Sequence, residues 1–259
     1  MGNGGSTGAL GNGDVVNDGS LLFNRVDALT QSGAISGLGS VTKNGYGELS
    51  LLGENSYTGS TTINSGSINL GTTGKLSGTS GITVANGATL LLGSANQVNT
   101  AADLTLGGTL NMGAAGTGGS KASQSFNSLT LTANSIIDFS ALSGVSQLSF
   151  GSINLGGKSL SVYNWNGGSS WYPTTSGDAT SYTYLNLDGG SSALMNGSLS
   201  NISFYSGGAG SSFLGTGQFA GNQIVPVPEP GVVLAALMLL GCLLFGNRRT
   251  LALLIPVRR

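Results

Sequence analysis

No histidine occurs in the 259 residues, and there is a single cysteine, Cys242. The first absence excludes Ser-His-Asp and Cys-His catalysis and every His-based metal site. The second leaves no intrachain disulfide and no cysteine cluster for zinc. Any chemistry would fall to carboxylates, Tyr, Lys and Arg. Charge is scarce as well: only 7% of residues are charged, against roughly 25% in an average soluble domain. Disorder driven by high charge is excluded by the net charge of −1 and by a steady supply of Leu, Ile and Val.

The few charges are distributed unevenly. Residues 1–247 carry five basic side chains (Arg25, Lys43, Lys75, Lys121 and Lys158) against ten acidic ones, a net of −5. The last twelve residues carry Arg248, Arg249, Arg258 and Arg259. A body without a basic stripe has nothing to displace phosphate counterions, so no nucleic-acid partner is expected. The basic end fits the cytoplasmic side of a membrane helix.

What is abundant is glycine, 46 residues of it, set in a repeating pattern. Short apolar alternations run into a Gly or Asn step and out again in VTKNGYGELSLLG from Val41, INSGSINLG from Ile63 and ITVANGATLLLG from Ile82. The pattern continues in LTLGGTLNMG from Leu104, LTLTANSIIDF from Leu129 and INLGGKSLSVY from Ile153. These units start 22, 19, 22, 25 and 24 residues apart. Ile68 and Leu70 in SINLG, Leu104 with Leu106, and Leu129 with Leu131 keep a period of two, which is the signature of strands. Ser65-Gly66, Asn86-Gly87, Gly107-Gly108 and Gly156-Gly157 separate them and are expected to supply the positive φ of tight turns.

An antiparallel meander could use these steps as hairpins. A right-handed parallel β-helix would use them as corners and stack Ile63, Ile82, Leu104, Leu129 and Ile153 into one interior ladder. The near-constant period favours the β-helix, because a meander has no reason to keep it. The fold expected is all-β, a right-handed parallel β-solenoid over residues 1–160, an aromatic-containing β-rich cap over 161–224, and a short C-terminal transmembrane helix.

The stretch KNGYGELSLLGENSYTGSTTINSGSINLG, Lys43 to Gly71, resembles the autotransporter-associated β-strand repeat. The matching positions are Gly45, Gly47, Leu49, Leu51, Gly53, Asn55, Tyr57, Thr58, Gly59 and Thr61. The resemblance implies a β-helical passenger region of an exported surface protein: a shape and a destination rather than an activity. Beyond residue 160 the aromatics Trp165, Trp171, Tyr172, Tyr182 and Tyr184 accumulate. Trp and Tyr faces suit sugar rings, so a surface polysaccharide is a candidate partner. The plainer reading is that large rings close the open end of a solenoid, and that reading is preferred.

The chain then runs VPVPEPGVVLAALMLLGCLLFGNRR from Val225 to Arg249. Residues 231–246 carry no charge and as a helix would extend about 24 Å, short of the roughly 30 Å hydrocarbon core. A helix that is apolar all round has no place inside a β-solenoid, which favours a membrane segment. Pro226, Pro228 and Pro230 keep the preceding backbone extended. The order of Pro228, Glu229 and Pro230, a short apolar helix, then Arg248 and Arg249 resembles the PEP-CTERM sorting signal. That resemblance implies an exosortase-type membrane protease as partner, transient residence in the inner membrane, and release to the cell surface or extracellular matrix of a Gram-negative bacterium. Residues 250–259, TLALLIPVRR, form an atypical tail. The opening MGNGGSTGAL has neither a basic start nor an apolar h-region, so the expectation is that this stretch lies inside a longer exported chain.

No catalytic, cofactor or metal residues are assigned, and the chain is expected to be non-catalytic. The enzyme alternative, a polysaccharide lyase or glycosidase, needs paired carboxylates. Asp103, Asp138, Asp178 and Asp188 fall on different expected coils. GNGD at Gly11–Asp14 is a fragment of a calcium nonapeptide that is never repeated, so an ordinary turn is expected there.

Overall fold

The computed structural model describes residues 1–113, 123–139, 145–166, 182–188, 190–220 and 222–227. The chain winds as a parallel β-solenoid with three faces. The first face stacks Ser20–Phe23, Ser40–Lys43, Thr61–Ile63, Gly81–Val84, Asp103–Leu106, the C-terminal halves of Ser123–Leu131 and Val145–Asn154, and Leu194–Met195. The second stacks Leu29–Gln31, Glu48–Leu51, Ser67–Asn69, Thr89–Leu91, Thr109–Asn111, Ser135–Asp138, Leu160–Tyr163 and Ile202–Tyr205. The third is more broken. It pairs Val15–Val16 with Ile35–Ser36 and Glu54–Asn55 with Lys75–Leu76, bridges Leu76 to Val98, and resumes through the N-terminal halves of the two long strands to Tyr182–Leu187. Among the described residues, helix is confined to two 3-10 turns, Gly190–Ala193 and Leu199–Asn201.

Strand residues alternate inward and outward, so each coil contributes fixed rows to the interior. On the second face the inward row is Leu29, Leu49, Ile68, Leu90, Leu110, Ile137, Val162 and Phe204, in register throughout. All of these but Leu29 are fully buried. On the first face the row runs Leu21, Val41, Thr61, Ile82, Leu104, Leu129, Ile153 and Leu194, at intervals of 20, 20, 21, 22, 25, 24 and 41 residues. The longer intervals add residues between second-face and third-face strands, at 114–122, 140–144 and 167–181, outside the described residues.

The interior ladder expected from sequence is therefore right at four of its five positions. Ile63 is buried, but two residues further along, in the row Phe23, Lys43, Ile63, Val84, Leu106 and Leu131. Thr61 takes the place expected for Ile63. A β-branched Thr packs as well as Val in such a row. Its hydroxyl is satisfied, lying 2.6 Å from the Tyr57 hydroxyl and 3.0 Å from the Thr79 hydroxyl. Burial pushes the Tyr57 phenol above its ordinary range.

Lys43 is the second polar side chain in these rows, and it is buried. Its Nζ donates to the Gly45 carbonyl and, at 3.4 Å, to the Ser65 carbonyl, closing the corner between the first two faces. Removal from water disfavours the ammonium and lowers its pKa from the ordinary 10.5. The folded protein then binds fewer protons than the unfolded chain between the lowered value and 10.5, so stability gains with rising pH in that window. Urea unfolding at several pH values up to 9.5 should show the wild type gaining on a Lys43→Met variant as pH rises. A difference between the two that stays constant with pH would refute a desolvated ammonium.

Parallel pairing runs beyond residue 160. The C-terminal end is closed by an antiparallel segment in which Ile202–Tyr205 pairs with Phe213–Ala220, and that strand with Gln223–Val227. The last of these also touches Tyr182–Leu187 through Asn186 and Gln223. Antiparallel strands turned across the final coil cover an edge that would otherwise template further pairing.

Candidate functional surface

The chemistry-bearing residues are spread by the solenoid rather than gathered. Asp103 stands on the first face, where it accepts hydrogen bonds from Asn127 Nδ2 at 2.8 Å and Ser128 Oγ at 2.6 Å, one coil later. Asp138 stands on the second face, and Asp188 follows the third-face strand Tyr182–Leu187. Asp178 lies outside the described residues. The three described carboxylates are thus on separate faces. Asp14, in the GNGD stretch, accepts from the Ala34 amide at 2.8 Å and ties one coil to the next.

The sorting residues Pro228, Glu229, Pro230, Arg248 and Arg249, and the apolar residues 231–246, lie outside the described residues. Among the described residues, no helix is long and apolar enough to cross a membrane. Trp171 and Tyr172 lie outside as well. Trp165 is described, and it faces inward with only 4% of its surface exposed. It packs edge-on against Phe204, ring centres 4.7 Å apart, and Phe139 at 6.1 Å. It fills the cap, as the plainer reading of the aromatics expects, and offers no face to a sugar. Among the described residues its indole N–H is a buried donor without an acceptor.

A different set of rings reaches the surface. The outward row of the second face reads Ser50, Asn69, Leu91, Asn111, Asp138 and Tyr163 in register, and Tyr205 and Phe213 extend it into the cap. Tyr163 and Tyr205 meet edge to face at 5.1 Å, and Tyr205 and Phe213 lie 5.6 Å apart. Phe213 is 40% exposed and both tyrosines are half-buried. Beside them runs a parallel outward row of Glu48, Ser67, Thr89, Thr109, Ile136, Ser161, Ser203 and Thr216. Near the rings this second row is made of small side chains.

Asp138 adjoins the rings. Its Oδ1 accepts from Asn164 Nδ2 at 2.6 Å, and its Oδ2 from Asn111 Nδ2 at 3.5 Å. Asn164 follows Tyr163 with a left-handed φ of 56°, a conformation that Asn tolerates better than most residues. Sequence reading passed over Tyr163, Tyr205 and Phe213 in favour of the Trp-rich stretch. The signal that finds them is the alternation Leu160–Tyr163, in which buried Val162 forces Tyr163 outward.

Comparison with known proteins identifies a segment in the first third of the chain. Residues 41–70 match the passenger-associated transport repeat family, over the segment whose glycine and asparagine pattern is quoted above. Over 101 residues the chain is 37% identical to the adhesin BmaC autotransporter of Brucella suis biovar 1 (strain 1330). That alignment covers 39% of this chain and 3% of the adhesin, so the chain spans a small fraction of its relative's length. No solved structure matches. The chain carries autotransporter-associated repeats on an all-β parallel solenoid.

Proposed function

We propose that this chain is a non-catalytic, exported β-solenoid of a Gram-negative cell surface or extracellular matrix, acting as a stiff adhesive spacer. The observation that carries the reading is the unbroken register of the second-face row, in a chain that matches a passenger-associated repeat over residues 41–70 and is 37% identical to a named adhesin over 101 residues. Stacked coils contacting only their neighbours make an extended, stiff element. Its low charge and small outward side chains leave long faces for contact.

The C-terminus supplies the address in this proposal. An exosortase-type protease grips the extended Pro228-Glu229-Pro230, while residues 231–246 hold the substrate in the inner membrane and Arg248 and Arg249 stay on the cytoplasmic side. Cleavage there frees the solenoid. Expression of the full chain in hosts with and without such a protease tests this. A shortened, released product is expected only where the protease is present, and external protease should then digest the solenoid on intact cells. Unchanged mass and membrane retention in both hosts would overturn the sorting proposal.

A further inference from the structure

The outward rings at the cap end of the second face are not needed to fill the interior. The interior there is already filled by Phe139, Trp165 and Phe204, with Trp165 packed edge-on against the other two. Tyr163 and Tyr205 point outward beside the buried Val162 and Phe204 of their own strands, and Phe213 pairs with Tyr205. Aromatic surface left facing solvent forgoes burial worth about 25 cal/mol per Å², so these rings point to a ligand.

We propose that Tyr163, Tyr205 and Phe213, with Asp138 and its amide neighbours Asn111 and Asn164, form a binding platform for a neutral polysaccharide chain lying along the solenoid axis. The proposal deepens the adhesive reading and rests on it for its biological setting. Three features choose this occupant.

First, the rings, inclined at 63° and 59° to their neighbours, put apolar surface next to a planar carboxylate and two amides. That is the pairing a pyranose needs, with C–H faces to stack and vicinal hydroxyls to hydrogen-bond. A carboxylate only accepts hydrogen bonds, the complement of a sugar hydroxyl's O–H, and Asn164 and Asn111 hold the plane of Asp138. A flexible apolar peptide would gain nothing from that polar end.

Second, successive rungs of a parallel stack are about 4.8 Å apart, close to the length of one pyranose residue. A linear glycan laid along the axis therefore meets Asp138, Tyr163, Tyr205 and Phe213 with successive sugars. The adjoining row of Ser161, Ser203 and Thr216 leaves a low shelf beside the rings, with hydroxyls of its own.

Third, the two outward rows contain no Lys or Arg, and their charged members are Glu48 and Asp138. An anionic polysaccharide or a nucleic acid would meet only like charge, so the glycan is neutral.

Affinity electrophoresis of the full chain through gels cast with mixed-linkage β-glucan, dextran or galactomannan tests the platform, with alginate as the anionic comparison. Retardation by at least one neutral polymer is expected, with none by alginate. Tyr205→Leu keeps apolar volume but removes the ring face and should weaken the apparent affinity about tenfold, the equivalent of one stacking contact. Asp138→Asn should weaken it while leaving the unfolding midpoint near wild type. Tyr46→Ala, at an 83% exposed tyrosine elsewhere, should change nothing.

Absence of retardation by all three neutral polymers would overturn the platform, as would equal retardation of wild type and Tyr205→Leu, binding confined to alginate, or concentration-dependent self-association through these rings. None of those results touches the surface-display reading, which stands or falls on protease accessibility in whole cells.

Discussion

Asn55→Leu should destabilise the solenoid by about 3 kcal/mol, because it leaves several buried polar groups unpaired at once. Asn55 is fully buried. Its Nδ2 donates to the Gly53 and Lys75 carbonyls, both at 2.9 Å, and its Oδ1 accepts from the Ile35 amide at 3.0 Å. One side chain thereby joins three successive coils at a corner where the strands are too short to pair fully. Leucine keeps the branched outline with somewhat greater bulk but satisfies none of these groups, and each buried group left unsatisfied costs about 1–3 kcal/mol. Asn64→Leu is the control. Its amide donates to Asn44 Oδ1 at 2.7 Å in an exposed position, so its loss should cost within about 0.5 kcal/mol. Equal shifts in the urea midpoint for the two variants would show that the corner amide is dispensable.

The same device recurs along the chain and accounts for its composition. Gln97 accepts from the Gly93 and Ser94 amides at 2.7 and 2.8 Å, and donates to the Gly71 and Gly74 carbonyls at 2.9 and 2.8 Å. Gln124 pairs with both backbone groups of Val98, and Gln31 donates to the Gly13 carbonyl at 3.0 Å. Backbone groups at a corner have to be satisfied without bringing in charge, since a buried ion would cost far more than a neutral amide. A solenoid with many corners is consequently rich in Asn and Gly and poor in Lys and Glu.

How far this was legible in the sequence depends on the row. Leu49, Ile68, Leu90, Leu110, Ile137 and Val162 announce themselves by strict alternation, and the second face follows from them. The first face is harder because two inward positions, Lys43 and Thr61, look like surface residues. Only Tyr57, Thr79 and the corner carbonyls make them acceptable inside. The outward aromatic platform was not legible, since its rungs are separated by 25 residues from Asp138 to Tyr163 and by 42 from Tyr163 to Tyr205. Spacing alone cannot align coils of such unequal length. The turn glycines were legible at three of the four steps. Gly66, Gly87, Gly156 and Gly157 do take positive φ, at 66°, 78°, 54° and 71°, whereas Gly107 and Gly108 do not and have another reason to be glycine. A Cβ on Gly108 would strike the Ala88 carbonyl.

That second reason carries the other large effect. Gly45→Ala should destabilise by about 3 kcal/mol or more, although Gly45 is not one of the glycines held at positive φ. A Cβ on Gly45 would overlap the backbone of Arg25 in the preceding coil, and one on Gly47 that of Asp27. Neither obstacle is a flexible side chain, so relief requires two coils to separate and the hydrogen bonds between them to lengthen. Gly87→Ala offers the contrast. Its φ is positive, but nothing lies within 4 Å of the added carbon, so the cost is local strain of about 1–2 kcal/mol. Urea unfolding should rank Gly45→Ala as the more damaging, and the reverse order would refute close coil approach as the constraint. Because each coil contacts only its neighbours, hydrogen exchange in Gly45→Ala should rise mainly in Ser20–Phe23 and Leu29–Gln31, with Val145–Asn154 staying protected. The glycines of the passenger repeat, Gly45, Gly47, Gly53 and Gly59, all meet backbone of the coil before. Their spacing is set by where one coil lies against the next, which is why so short a motif can specify so long a stack.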